Sequence, residues 1–294
     1  MVRRGWLEVA LAIPLFAYVL VLTIAPILDT ARLSFTTPEA GFPTLAAYRA
    51  VLGSDVFQRA TLNTVIVAGL SLALQLGLGL AVALALRARF PFRGVVRAVM
   101  LVPLGVPTIV AGSVMLLVFS RSGYLNALLF QLADLVSLVP GVEWRFVPFS
   151  WTVSGGWRTL LTIAIADTWK VLPMVTLLFL AGLESIPPGV YEAADVDGAT
   201  GWRRFVRITL PLLLPWATMA LILRAIDAFR IFELALVLAG RVEPVLGTFI
   251  WLRYAPPTSD PHTAAAAAIV LFVMIMVFIV GYLRLVGGRG EVEA

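Results

Sequence analysis

Long apolar stretches alternate along the chain with short polar segments in which arginine is the recurrent charge. A bilayer hydrocarbon core about 30 Å thick is crossed by roughly 20 helical residues, each rising about 1.5 Å. Six runs meet that length: Leu7 to Leu28, Leu62 to Leu86, Val99 to Phe119, Leu160 to Leu183, Leu210 to Ala239 and Thr263 to Leu285. They predict an all-α membrane protein with six transmembrane helices, forming a single transmembrane domain over residues 1–294. The first run follows Arg3 and Arg4 as in a secretory signal, but it is longer than a signal's apolar region and five further runs follow, so it reads as an uncleaved helix.

Local residue choices refine these helices. Pro103 and Pro107 predict a kink in the third, and Gly69, Gly77 and Gly79 in the second with Gly105 and Gly112 in the third predict close helix approach. The segments after the first and third runs have room for short structure, and Gly123 to Val139 has the apolar spacing of an amphipathic helix. Trp144, Trp151 and Trp157 precede the fourth run, where indoles at the interface keep their N–H groups in water.

Composition supports the membrane reading: 61% of the 294 residues are hydrophobic and 13% charged, against about half and a quarter in soluble domains. The net charge of +5 is spread between apolar runs and forms no basic tract, so it reads as a topology signal and not as a nucleic-acid site. With the N-terminus inside, the inner segments hold Arg3, Arg4, Arg87, Arg89, Arg93, Arg97, Arg203, Arg204, Arg207, Arg284 and Arg289. The longer outer segments hold Arg32, Arg49, Arg59, Arg121, Arg145, Arg158, Arg241 and Arg253. This bias predicts that both termini are cytoplasmic in a multi-pass protein of the inner or plasma membrane.

Several chemistries drop out. There is no cysteine and one histidine, His262, so thiolate catalysis, cysteine-ligated metals and a histidine metal pair are excluded. The single lysine, Lys170, follows Trp169, so the chain lacks a phosphate-cradling G-x-x-x-x-G-K-[ST] loop, and ATP driving this protein must be bound by another chain.

The segment 184–209 between the fourth and fifth runs is the most informative. Pro187 and Pro188 set a helix start, Tyr191 to Asp197 span about two turns, and Gly198 and Gly201 let the chain turn back. Glu192 suits the first turns of that helix, and Ala193 and Ala194 leave a low surface that another protein can approach closely. Trp202, Phe205 and Ile208, spaced by three, are expected to bury one side against the bundle, leaving Arg203, Arg204 and Arg207 toward water or headgroups.

The arrangement Glu192-Ala193-Ala194, three residues, Gly198, nine residues, Ile208-x-Leu210-Pro211 resembles the signature of permease subunits of binding-protein-dependent ABC importers. Asp167-Thr168-Trp169-Lys170 with Pro173, Leu183 to Pro187, and Asp197-Gly198-Ala199 extend the likeness to six-helix permeases of sugar importers. The resemblance implies a short cytoplasmic coupling helix that docks in a cleft of an ATPase subunit, with Glu192 near a basic residue of that partner. It assigns coupling to Glu192, Ala193, Ala194, Asp197, Gly198, Ala199, Gly201, Ile208, Leu210 and Pro211. It further implies a second permease, two ATPase subunits that carry the ATP and Mg, an extracytoplasmic solute-binding protein, and no cofactor bound by this non-catalytic chain.

Charges inside the apolar runs are the remaining candidates. Asp167 and Lys170 lie one turn apart in the fourth run, and Arg224, Asp227, Arg230 and Glu233 form a ladder in the fifth. Antiparallel helices place both sets at similar depth, where charge is costly and points to partners or a wet cavity. The two readings are a salt-bridge lock between helices and a path that hydrogen-bonds a passing sugar. At the level of function, the alternatives to an importer half are a secondary transporter, for which no internal repeat is visible, and a membrane anchor or sensor.

Overall fold

Proline positions and tertiary packing decide where the apolar runs become separate helices. The computed structural model describes residues 3–88, 90–139, 145–152 and 155–290. In chain order they form α1 (Arg3–Val19), α2 (Ala25–Ser34), α3 (Ala46–Leu52), α4 (Asp55–Arg87), α5 (Arg93–Gly105), α6 (Thr108–Phe119) and α7 (Tyr124–Val136). There follow α8 (Trp157–Glu184), α9 (Pro188–Val196), α10 (Gly201–Arg204), α11 (Leu210–Phe229), α12 (Glu233–Ala239), α13 (Leu246–Tyr254) and α14 (Pro261–Gly290). Among the described residues six stretches are long and apolar enough to cross a membrane: Leu11–Ser34, Asp55–Arg87, Thr108–Val136, Trp157–Glu184, Gly201–Phe229 and Pro261–Val286.

Two runs end differently from the expectation. The third breaks at Val106 (φ −78°, ψ 129°) and Pro107 (φ −55°, ψ 141°) into α5 and α6, because a residue before proline is pushed out of the helical region. The fifth stops at Phe229, not Ala239, although no proline intervenes. There Leu234, Ala235, Leu238 and Ala239 of α12 pack with Ile231 into a core shared with Met115 and Phe119 of α6 and Leu160 and Ile163 of α8, and this burial outweighs helix continuity.

Two π segments, Leu20–Ile24 and Phe205–Thr209, each run into a helix whose second residue is proline, Pro26 and Pro211. A proline ring collides with the carbonyl four residues before it, here Leu22 and Arg207, and the wider π turn moves that carbonyl aside.

Contacts gather into two units. The first holds residues 3–58 with Phe249–Val277. Within it the Phe57 and Phe249 rings meet edge-on at 5.4 Å, Ser34 shares a 2.8 Å hydrogen bond with the Tyr48 hydroxyl, and Asp260 caps α14 by accepting the Thr263 N–H at 3.0 Å. Leu11, Leu15, Phe16, Leu22 and Leu28 of its long N-terminal helix are all well exposed, as lipid-facing side chains are.

The second unit holds Arg59–Thr248 with residues 278–290. Beside the core around α12, a second core joins α4, α8 and α11 through Ala83, Val175, Phe179, Leu180, Leu183 and Leu213. Gly79 does bring helices together: a Cβ there would lie 2.7 Å from Val175 Cγ1, and one at Gly112 would lie 3.0 Å from Val237 Cβ. A Cβ at Gly69, Gly77 or Gly105 would meet nothing within 4 Å, so these serve no such contact, whereas Gly182 lies tight under the Trp216 ring, where a Cβ would come within 2.6 Å of Cγ.

The helix expected over Gly123 to Val139 is α7. Of the three tryptophans leading into α8, whose first residue is Trp157, Trp144 lies outside the described residues. Trp151 is packed and not wet at its N–H, which donates to Asn126 Oδ1 at 3.1 Å, and Trp157 is exposed.

Candidate functional site

Two places in the second unit collect the chemistry. The first is a cavity of ≈ 590 Å³ lined by Asp167 and Lys170 of α8, Arg224 and Asp227 of α11, and Arg230, Phe232 and Glu233 around the α11–α12 break. The two charge sets do meet, and they do so through a residue the sequence reading passed over, Gln75 of α4. Gln75 Nε2 donates to Asp167 Oδ2 at 2.7 Å, while its Oε1 accepts from Arg224 Nε at 2.9 Å. Arg224 also pairs with Asp167 at 3.5 Å and Asp227 at 2.9 Å.

Gln75 is fully buried and Arg224 is 2% exposed, so the centre of this junction of α4, α8 and α11 is closed to solvent, with Asp227 at its open edge on the cavity. Both arginine charge and amide dipole are compensated there, which an apolar setting requires. The signal that could have found Gln75 is a lone amide inside the otherwise apolar run from Leu72 to Gly79.

The remaining charges are not one ladder on one helix. Arg230 caps α11, is exposed and lies 3.7 Å from Asp227, while Glu233 opens α12 in its own first turn. The break turns them toward the cavity mouth. Lys170 donates to the Val106 carbonyl oxygen at 2.6 Å, at the junction of α5 and α6.

The second place is α9 and the chain that returns from it. Pro187 precedes the helix in extended conformation and Pro188 starts it, as the sequence predicts. At the far end Gly198 has φ +68°, the left-handed conformation that glycine adopts at no steric cost. Around it the Ala199 N–H donates to the Ala194 carbonyl at 2.9 Å and the Gly198 N–H to the Asp195 carbonyl at 3.2 Å, the paired bonds of a Schellman cap. Gly201 does not turn the chain; it is the first residue of α10.

Side chains fasten this segment to α4. The Arg87 guanidinium stacks 4.5 Å from the Tyr191 ring centre and donates to the Tyr191 hydroxyl at 2.9 Å, and that hydroxyl shares a 3.3 Å bond with Thr209. Arg204 pairs with Asp195 at 2.6 Å. Tyr191, Glu192, Asp195 and Arg204 thus line a hollow of ≈ 490 Å³ with Arg87 and Phe205.

Three expectations for this segment change. Ala194 is buried and packs inward, so the presented surface is Glu192, Ala193 and Val196, the last 88% exposed. Trp202 is 74% exposed and touches Phe205 at 5.8 Å between ring centres, without burying against the bundle. Arg204 turns inward to Asp195, while Arg203 and Arg207 stay exposed. Glu192, Ala193, Asp197 and Gly198 are exposed, Ala199 and Ile208 half-buried, and Leu210 and Pro211 begin α11 at the surface.

Among the described residues no cluster of histidine, aspartate and glutamate could hold a metal ion. The sequence profile of the family described as binding-protein-dependent transport system inner membrane component matches residues 75–286. The chain is 38% identical over 291 residues to a trehalose/maltose transport system permease protein of Thermococcus litoralis, covering 96% of this chain and 94% of that protein. It is 30% identical over 280 residues to a sulfoquinovosyl glycerol transport system permease protein of Agrobacterium fabrum, covering 92% and 86%. It shares its fold with a chain of a bacterial alginate ABC transporter, crystallised in complex with an alginate pentasaccharide-bound periplasmic protein, at a TM-score of 0.77 over 96% of this chain and 95% of that one, with 24% identity. With the family profile matching residues 75–286 and the Thermococcus litoralis relative matching 96% of the chain, the chain belongs to the inner-membrane components of binding-protein-dependent transport systems.

Proposed function

We propose that the chain is one permease half of an ATP-driven importer, moving a sugar or sugar-like solute across the inner membrane by alternating access. Residues 1–294 act as one permease domain with both termini cytoplasmic. It works with a second permease chain, two ATPase subunits that bind ATP and Mg, and an extracytoplasmic solute-binding protein. The trehalose, maltose, sulfoquinovosyl glycerol and alginate named for its relatives support a carbohydrate cargo.

The observation that carries this reading is the asymmetry of α9. Tyr191 and Asp195 are tied back to Arg87 and Arg204, whereas Glu192 is exposed and forms no hydrogen bond or ion pair among the described residues. A rigidly fastened helix presenting one free carboxylate suits docking in a cleft with a basic residue, so that ATPase closure swings the loop and reorients the helices.

The cavity at Lys170 serves as the solute path, and the intramembrane charges divide their roles. Arg224, with partners on α4, α8 and α11, locks helices together, and Lys170 is held on the Val106 carbonyl, while Asp227, Arg230 and Glu233 face the solute. The test is co-purification of an ATPase with the affinity-tagged chain, followed by ATP-dependent uptake of radiolabelled trehalose and maltose into vesicles holding the purified complex. Absence of an associated ATPase would contradict the proposal.

A further inference from the structure

α8 holds α5 at both of its ends. At one end Glu184, the last residue of α8, accepts from Arg93 at 3.2 Å and Arg97 at 3.1 Å, in the first turns of α5. At the other, the Lys170 ammonium donates to the Val106 carbonyl at 2.6 Å, immediately past the last residue of α5. Between these pins the two helices are in contact.

The Lys170 pin meets a chemical need of the break. The last carbonyls of a helix have no intrahelical donors, and Pro107 brings no N–H of its own. A cation at a helix C-terminus also suits the negative end of the dipole. Beyond the pin the backbone is extended at Val106 and Pro107, and α6 then packs against α12. The chain has no other lysine, and this one stands in the cavity wall. At the opposite end, only Ser185, Ile186 and Pro187 separate Glu184 from α9.

We propose that Lys170 and Glu184 make α5 and α8 one lever, which carries displacement of α9 to the cavity wall and bends against α6 at Val106–Pro107. The proposal rests on the importer reading above and names the path by which α9 acts on the solute site. Both residues are positioning residues: they join helices and leave ATP hydrolysis to the partner chains. Because the lever moves as a body, the distance between Val106 and Lys170 stays fixed through the transport cycle, while the α5–α6 bend does not.

This chain has no cysteine, so a cysteine pair can be placed in it and tested in the full complex reconstituted in vesicles, with the partner chains freed of reactive cysteine and trehalose and maltose as probes. Val106→Cys with Lys170→Cys is joined by a short bifunctional thiol reagent, and the ATP consumed per sugar imported is measured before and after joining. The lever predicts a ratio raised about tenfold by the unjoined pair, the order expected on losing one charge-assisted hydrogen bond, and restored by joining. Lys170→Arg, which keeps a donor in reach of the carbonyl, is expected to hold the wild-type ratio within about threefold. Loss of import on joining would show that the two residues must separate, and an unchanged ratio in the unjoined pair would show that the pin carries nothing; either overturns the lever. Should the cysteine pair fail to assemble, Lys170→Arg decides alone, with loss of import or a ratio raised about tenfold overturning the lever. Failure of the wild-type complex to import either sugar would instead strike the reading on which the lever rests.

Discussion

Arg224 donates its Nε–H to Oε1 of Gln75, 149 positions earlier in the chain, at 2.9 Å, in a site where neither side chain reaches solvent. The same amide donates to Asp167, so three helices share one polar junction in an apolar surround. Satisfied, such a junction fixes the register of α4, α8 and α11; stripped of one member, it leaves a buried charge.

Replacement of Arg224 by Met is therefore expected to destabilise the purified complex by about 3 kcal/mol, since Asp167 and Gln75 lose their shared partner. Asp167→Asn with Arg224→Met should recover part of that loss. Thermal unfolding of the four proteins of this double-mutant cycle gives the coupling, and additive effects would show that the junction contributes nothing.

Helix approach gives a second expectation. Gly182→Ala drives a methyl group into the Trp216 ring and should cost about 1–3 kcal/mol, with Trp216→Leu relieving the clash. Gly77→Ala meets open space and should be neutral or slightly stabilising, since alanine is the better helix former by about 1 kcal/mol. Equal melting temperatures for the two alanine variants would contradict the packing described.

The two glycines of the α9 segment should also separate. Gly198→Val forces a β-branched side chain into φ +68°, at a cost of about 1–3 kcal/mol, and opens the Schellman cap. Gly201→Ala sits in helical backbone with free space around it and should leave import and ATP hydrolysis unchanged. The readout is ATP consumed per sugar imported, expected to rise only for Gly198→Val.

Much of this was legible in the residues. Apolar run length marked six spanning stretches, although the third covers Thr108–Val136 and not Val99 to Phe119, and Pro187, Pro188 and Gly198 marked the ends of α9, because these signals act locally. The break after Phe229 was not legible, since nothing between Arg230 and Phe232 forbids a helix and only the packing of Leu234 and Leu238 on α6 and α8 decides it. The pairing of Tyr191 with Arg87 and of Lys170 with Val106 was equally hidden, because each joins residues far apart in sequence. The inward turn of Ala194 and the exposure of Trp202 show the limit of spacing arguments: a three-residue period fixes which side chains share a face, not which face is buried.

On the proposed reading, α9 transmits ATP hydrolysis to this chain through Glu192. The most direct test is the ATP hydrolysed per sugar imported by vesicles carrying Glu192→Ala beside the wild type, with thermal unfolding confirming that the helices remain packed. Import is expected to fall at least about tenfold with hydrolysis retained and an unchanged melting temperature, as for loss of one buried charge-assisted contact at a partner interface. Import at the wild-type rate and wild-type ATP cost would contradict it.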